Sequence, residues 1–380
     1  MRWDIFCRVV DNYGDIGVCW RLARQLQQEH GLAVRLWVDD LASFARLCPA
    51  VQRTLAEQVV EGVTIAQWSG SAQANPATSE TSAQVVIAAF GCDLPDVYLA
   101  TMAAAETVPV WINLEYLSAE SWVEGCHGLP SPHPRLPLQQ YFFYPGFTAR
   151  TGGLLRERNL LQEQEKFTEI EQQKFWQQFG LPIKRLGELR VSMFYYPQAP
   201  LAALLRCWAA SPQPVTCMLA GDMPLPAGLS NLSGNLRVLR IPFLSQPDYD
   251  RLLWACDLNF VRGEDSFVRA QWAQKPLVWQ IYPQQEAAHQ VKLEAFLQRY
   301  LDGVPPAAAQ AQQAFWQAWN QAEALNQLDQ KDEAGFARLW DDFMAAQHGL
   351  QVRAHSWVAE LARQHDLATQ LVDFCQLRLK

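Results

Sequence analysis

The sequence predicts an α/β protein with two doubly wound parallel-sheet domains and a helical tail. Three observations carry that prediction. Apolar runs of strand length alternate with helical patterns from residue 3 onward, as parallel strands joined by crossover helices require. The alternation pauses at Gly180-Leu181-Pro182, a helix stop signal, and restarts at Leu189. After Tyr282 only helical patterns remain.

In the first half, Trp3–Val10 reads as a buried strand and Val18–His30 as a helix with apolar residues at Val18, Leu22 and Leu26. Ala33–Val38 is a second strand ending in Asp39-Asp40, and Leu41–Leu47 a short helix. Val59–Trp68 alternates like a strand, Gly70–Thr81 reads as an exposed loop, and Val85–Phe90 and Val108–Asn113 are further strands. Residues 125–153 fit no regular element. A proline-rich stretch (128–137) precedes the aromatic cluster Tyr141–Phe147, so ordered loops bordering a cleft are expected, with most of the rings in packing roles. Glu163–Phe179 is a polar, Gln-rich helix.

The second half begins with the strand Leu189–Tyr196, closed by Pro197, and the helix Ala199–Ala210. Strands at Val215–Ala220 and Leu236–Ile241, the helix Asp248–Ala255, the strand Cys256–Val261, the helix Phe267–Ala273 and a last strand, Lys275–Tyr282, follow. Helices are expected at 285–301, 307–326 and 332–346, with two more between 350 and 379. The domains are therefore read as 1–180 and 181–354, with about 355–380 crossing back onto the first.

Composition narrows the class. At 380 residues the chain is long enough for two cores, and 49 % hydrophobic residues describe a soluble globular protein. A net charge of −8 argues against nucleic acid as the main partner. The nine cysteines form no C-x-x-C pair and read as reduced thiols of a cytoplasmic protein. Arg2 and Asp4 interrupt any signal-peptide core, and no apolar run reaches the roughly 20 residues that span a bilayer.

Two loops concentrate the chemistry. The first strand-to-helix connection reads Asp11-Asn12-Tyr13-Gly14-Asp15-Ile16-Gly17, placing two carboxylates and two flexible glycines where open α/β sheets bind ligands. The glycine spacing is not a dinucleotide fingerprint, and two acids would repel a pyrophosphate there; a neutral or cationic substrate suits the loop better. One reading makes one aspartate a general base and the other its electrostatic neighbour. The other makes Asp15 or Asn12 a helix cap. The counterpart in the second half is Arg262-Gly263-Glu264-Asp265-Ser266. Here Gly263 permits a sharp turn, Ser266 can cap the next helix beside an anion-binding N-terminus, Arg262 offers a fork for phosphate, and Glu264 can accept from sugar hydroxyls. The competing reading is a capping residue at 265 or 266 and a surface ion pair between Arg262 and Glu264. Phe194, Tyr195 and Tyr196 end the first strand of this half, Gln246 and Tyr249 lie at another strand-to-helix connection, and together they could sandwich a base and read its edge; at least one of the three consecutive aromatics is expected in the core. No His or Cys spacing matches a zinc set, and no P-loop or Ser-His-Asp arrangement is present.

These residues carry a resemblance. Asp11–Gly17 with Trp20-Arg21-Leu22-Ala23-Arg24, Leu36–Asp40, Arg240–Gln246 with Tyr249-Asp250 and Leu252-Leu253-Trp254, and above all Asp257–Trp272 resemble the elongation factor P arginine rhamnosyltransferases over nearly the whole chain. The resemblance implies a GT-B fold, two Rossmann-like domains facing a cleft. It implies inverting transfer of L-rhamnose from dTDP-β-L-rhamnose to an arginine of elongation factor P, without a metal or other cofactor, relieving stalling at polyproline. By position it puts the general base on Asp15, the supporting acid on Asp11 and a second-domain acid on Glu264. Arg262, Asp265 and Ser266 fall on diphosphate and sugar contacts. Phe194, Gln246 and Tyr249 fall on the thymidine site; some relatives carry Phe at 249, so the ring is kept and a hydroxyl added. The loop residues Asn12, Tyr13, Gly14 and Gly17, with Tyr195 and Gly263, complete the candidate site. Rival readings are a nucleotide-sugar epimerase or hydrolase and a non-catalytic translation-factor adaptor, which fold alone does not exclude.

Overall fold

The computed structural model describes residues 1–11, 13–68, 83–181, 183–221, 223, 225, 234–284, 288–321 and 330–379. The expected loop Gly70–Thr81, the helix-stop residue Pro182 and Asn12 lie outside them. In chain order the elements are β1 (Arg2–Cys7), α1 (Gly14–His30), β2 (Ala33–Val38), α2 (Leu41–Leu47), β3 (Glu57–Val60), β4 (Val63–Gln67), β5 (Val85–Ala89), α3 (Asp96–Ala104), β6 (Val110–Leu114), α4 (Val123–Cys126), β7 (Pro130–Pro132) and β8 (Gln139–Phe143). Then come α5 (Leu160–Lys166), α6 (Glu169–Gln178), β9 (Leu189–Met193), α7 (Leu201–Ala210), β10 (Val215–Ala220), β11 (Leu236–Ile241), α8 (Gln246–Ala255), β12 (Leu258–Arg262), α9 (Asp265–Trp272) and β13 (Leu277–Gln280). The chain ends with α10 (Ala288–Tyr300), α11 (Pro306–Asn320), α12 (Gln330–Ala345), α13 (Gln347–Leu361) and α14 (Leu367–Gln376).

The chain divides into one unit of Met1–Arg158 with Leu361–Lys380 and a second of Asn159–Glu360. The first boundary thus falls after 158 rather than after 180. The reason is packing: Phe167 meets Trp254 edge-on at 5.7 Å, and Phe175 and Trp176 join Met218, Ile241 and Leu244 in one apolar cluster.

The first unit is a sheet ordered β3-β4-β2-β1-β5-β6-β8-β7, with every pairing parallel except β3/β4 and β7/β8 at its edges. Ile5 pairs with Leu36 on one side and Ile87 on the other, so β1 lies at the centre with Trp3–Cys7 wholly buried. Continuous apolar strands of this kind are what a sheet covered on both faces needs. Within the buried run of β1 one polar group interrupts: Asp4, fully buried, accepts from Arg35 Nε (3.1 Å), Trp37 Nε1 (3.3 Å) and the Tyr98 hydroxyl (2.7 Å). The stretch 125–153, expected to be irregular, contributes β7 and β8. Tyr141-Phe142-Phe143 has the aromatic content of a strand, and the prolines of β7 are tolerated because that strand is at the edge. The chain's end returns here. Leu367 N–H donates to Leu154 C=O (3.0 Å), and Phe374 packs edge-on against Tyr141 (5.6 Å) and Phe143 (5.5 Å).

The second unit is an all-parallel sheet ordered β11-β10-β9-β12-β13. Its core is aromatic. Phe267 of α9 stacks on Trp279 of β13 at 3.8 Å, and Phe296 is stacked 6.0 Å from Trp316. These contacts fix α9, which carries the second loop's residues. Both sheets reverse direction beside their first strand, between β1 and β5 and between β9 and β12. In open α/β sheets that reversal opens the ligand crevice.

Candidate active site

In the first unit the loop leaving β1 is organised by Asp15. Its carboxylate does not cap α1; the capping position is Tyr13, whose side chain makes no capping bond. Instead Asp15 Oδ2 accepts the backbone N–H groups of Val10 (2.8 Å) and Asp11 (2.9 Å), folding the loop over the helix start. Asp39, at the end of β2, holds the same loop by accepting Val9 N–H at 2.9 Å. Asp15 is 3 % exposed. Burial raises its carboxyl above the ordinary range, the N–H groups of Asp11 and Val10 oppose that, and the Asp11 charge adds to it. Gly14 and Gly17 both lie within α1, so neither serves by left-handed backbone. Gly14 serves by leaving room, since a Cβ there would sit 2.8 Å from Asp11 Oδ2. Tyr13 is half-buried beside these groups.

Two residues here were not visible in the sequence. Tyr116, after β6, donates its hydroxyl to Asp15 Oδ1 at 3.4 Å. Its ring stacks on Phe90 at 4.6 Å, and Phe90, after β5, sits in the left-handed region (φ 58°). A bulky residue there is strained, and such strain concentrates at functional sites. The positive φ at a strand end is a backbone property, and Tyr116 lies 101 residues from Asp15, so no spacing rule joins them.

In the second unit Phe194, Tyr195 and Tyr196 follow β9, residues 262–266 carry the chain from β12 into α9, and Gln246 and Tyr249 lie in the first turn of α8. Gly263 takes the left-handed turn expected of it (φ 64°), and its carbonyl accepts Trp279 Nε1–H at 2.8 Å. Glu264, half-buried, occupies the capping position of α9 without a side-chain cap, and Asp265 begins the helix. The Ser266 hydroxyl does not cap either: it donates to Arg262 C=O and accepts Arg262 N–H (3.2 Å), closing the loop on itself. The Arg262 guanidinium lies over Phe194 (4.2 Å) and over Tyr196 (4.5 Å), and donates to Tyr195 C=O at 2.9 Å. A cation so placed orients both rings and keeps its charge in the crevice. Tyr195 and Tyr196 are buried, as the core reading required for part of this run, while Phe194 keeps partial exposure and meets Tyr249 edge-on at 6.2 Å. Gln246 opens α8 and is 4 % exposed.

Among the described residues no group of three or more His, Cys, Asp or Glu is arranged to hold a metal ion, and no helix is long and apolar enough to cross a membrane. All nine cysteines are free thiols. A separate concavity of about 540 Å³ lies at the amino ends of the second unit's strands, among Trp176, Lys184, Arg190, Asp257 and Lys275. It holds none of the candidate site residues.

Comparison with known proteins agrees along the whole chain. Residues 3–376 match the family model described as Elongation-Factor P (EF-P) rhamnosyltransferase EarP. The protein-arginine rhamnosyltransferase of Pseudomonas putida is 47 % identical over 390 residues, covering 98 % of each chain. The enzyme of the same name from Pseudomonas aeruginosa is 42 % identical over 386 residues, again covering 98 % of each. A solved structure titled "Structural basis for EarP-mediated arginine glycosylation of translation elongation factor EF-P" aligns with TM-score 0.65 and 34 % identity over 99 % of both chains. The Acinetobacter baumannii MurG structure (TM-score 0.52, 12 % identity) covers 99 % of both chains and shares the fold alone, GT-B.

Proposed function

The chain belongs to the elongation factor P rhamnosyltransferase family, and from that premise we infer that it is a protein-arginine rhamnosyltransferase acting on translation elongation factor P. The epimerase, hydrolase and adaptor readings find no support among its relatives. The finer reading is inverting transfer of L-rhamnose from dTDP-β-L-rhamnose, with no metal required, in the cytoplasm. Free thiols fit a reducing compartment.

The observation that carries the mechanism is a buried aspartate, Asp15, with raised proton affinity beside a second carboxylate, Asp11. The acceptor is an arginine, whose pKa exceeds about 12 and whose nitrogen lone pairs are delocalised. A carboxylate with a pKa near ~4 does not deprotonate such a group in the ground state, and one raised by burial narrows the gap without closing it. Proton transfer is therefore late. As an arginine nitrogen bonds to the anomeric carbon, the bond from that carbon to the diphosphate oxygen breaks and its electron pair leaves with dTDP. The nitrogen's proton passes to Asp15 as the guanidinium loses conjugation. Asp11 holds the guanidinium by charge. On the donor side, the Arg262 cation and the leading N–H groups of α9 stabilise the departing diphosphate in the role a metal plays in other transferases, and Glu264 meets the sugar hydroxyls. A single displacement gives inversion.

Intact mass spectrometry of elongation factor P, incubated with the enzyme, dTDP-L-rhamnose and a chelator, tests this reading. It expects one deoxyhexose on a single arginine. Release of dTDP without a mass gain would indicate hydrolysis or another acceptor. Absence of both would remove the donor assignment.

A further inference from the structure

The hydroxyl of Tyr249 takes no part in the mechanism proposed for the donor side. Tyr249 stands in the first turn of α8, its ring edge-on to Phe194. The hydroxyl oxygen is buried, yet it has no hydrogen-bond partner. The neighbouring Ser266 hydroxyl donates to Arg262 C=O and accepts Arg262 N–H. A buried hydroxyl without a partner costs stability, so a fold that keeps one has a use for it beyond packing.

Its surroundings identify what it would meet. The groups that act on the hydroxyl electrostatically are Asp265, Asp250 and Arg262, with Ser266 beside it. The leading N–H groups of α9 have no intrahelical acceptor. Asp250, also close, is already taken by Arg269 through bonds of 3.0 and 2.7 Å. Burial holds the phenol in its neutral, proton-bearing form. A neutral O–H donor beside a guanidinium and a helix start is suited to an anionic oxygen.

We propose that the Tyr249 hydroxyl is a hydrogen-bond donor to the diphosphate of the nucleotide-sugar donor, while its ring packs beside the nucleobase site. The proposal rests on the donor reading above and adds a contact to it. It assigns the two ends of one side chain to two parts of the ligand.

The test is Tyr249→Phe, with calorimetric affinities for dTDP and for thymidine, which lacks phosphate, and the thermal midpoint of the free enzyme. The expected result is dTDP binding weakened by roughly tenfold, as for a lost bond to a charged group. Thymidine binding should stay within about twofold, and the midpoint should be unchanged or higher because an unpartnered hydroxyl has gone. Equal weakening of both ligands would move the hydroxyl to the nucleoside and overturn the proposal, as would unchanged dTDP affinity. A lower midpoint would make the hydroxyl structural, which also overturns it. A wild-type enzyme that binds neither ligand would instead bring down the donor reading itself.

Discussion

Arg269 of α9 grips Asp250 of α8 through two parallel hydrogen bonds, Nε to Oδ1 at 3.0 Å and Nη2 to Oδ2 at 2.7 Å, with their side chains only 2 % and 7 % exposed. The pair joins the two helices that begin with Gln246 and Asp265, so it sets the spacing of the donor-side residues. Neither partner is among the candidate site residues. Removing one member strands a buried charge, whereas replacing both by apolar residues need not. Asp250→Ala should therefore cost about 3–5 kcal/mol. The double variant Asp250→Leu with Arg269→Met should recover most of that loss. Urea unfolding of the three proteins, followed by tryptophan fluorescence, measures both quantities.

The pH dependence of transfer should report Asp15. The base must be ionised, and burial raises its pKa, so the acid limb of kcat/KM should lie above the ~4 of a free carboxylate. Two variants should move the limb in opposite directions. Tyr116→Phe removes a hydrogen bond that favours the ionised form and should shift the limb to higher pH. Asp11→Asn removes a like charge and should shift it lower, whatever it does to the maximum rate. Shifts of the same sign would mean that the limb belongs to another group.

Gly14 offers a separation of activity from stability. Its backbone is helical, so alanine is conformationally welcome, by about 0.5–1 kcal/mol. The added Cβ would lie 2.8 Å from Asp11 Oδ2 and must displace that carboxylate. Gly14→Ala should keep its thermal midpoint while transfer falls, by up to about 100-fold for a misplaced substrate-holding carboxylate. A variant that loses stability in step with activity would contradict this.

Acidification should loosen the aromatic edge of the first unit. His127 Nδ1 accepts Tyr144 N–H at 3.1 Å, its ring is 4.5 Å from Phe143, and burial lowers its pKa from 6.5 to about 4. The unfolded chain takes up this proton first, so the neutral ring's contribution is complete above pH 6.5 and is lost as pH falls towards 4. Hydrogen exchange at the Tyr144 amide should speed up across that window beyond its intrinsic pH dependence. With His127→Phe, exchange there should be fast at every pH.

Much of this was legible in the sequence. Apolar runs such as Trp3–Cys7 and Leu258–Val261 show their strands because both faces of each sheet are covered. Asp15 and Gly263 could be picked out because strand-to-helix loops sit at crevice edges. What was hidden is tertiary. Phe90 and Tyr116 join Asp15 only because β5 and β6 follow β1 across the sheet. Arg262 carries a free-looking cation in the sequence, yet the fold lays it over Phe194 and Tyr196. The boundary near 158 was obscured because α5 and α6 are polar helices, and the few aromatics in and between them, Phe167, Phe175 and Trp176, decide their allegiance.

The most direct test of the central claim compares Asp15→Asn and Asp11→Asn in single-turnover transfer of rhamnose to elongation factor P, with dTDP affinity measured alongside. Asp15→Asn should bind dTDP like the wild type and lose turnover almost entirely, on the order of 10²–10⁴-fold for a removed general base. Asp11→Asn should retain more activity and show weaker acceptor binding. If Asp15→Asn kept most of its turnover while Asp11→Asn lost it, the proton would go to Asp11, and the roles assigned to the two carboxylates would be reversed.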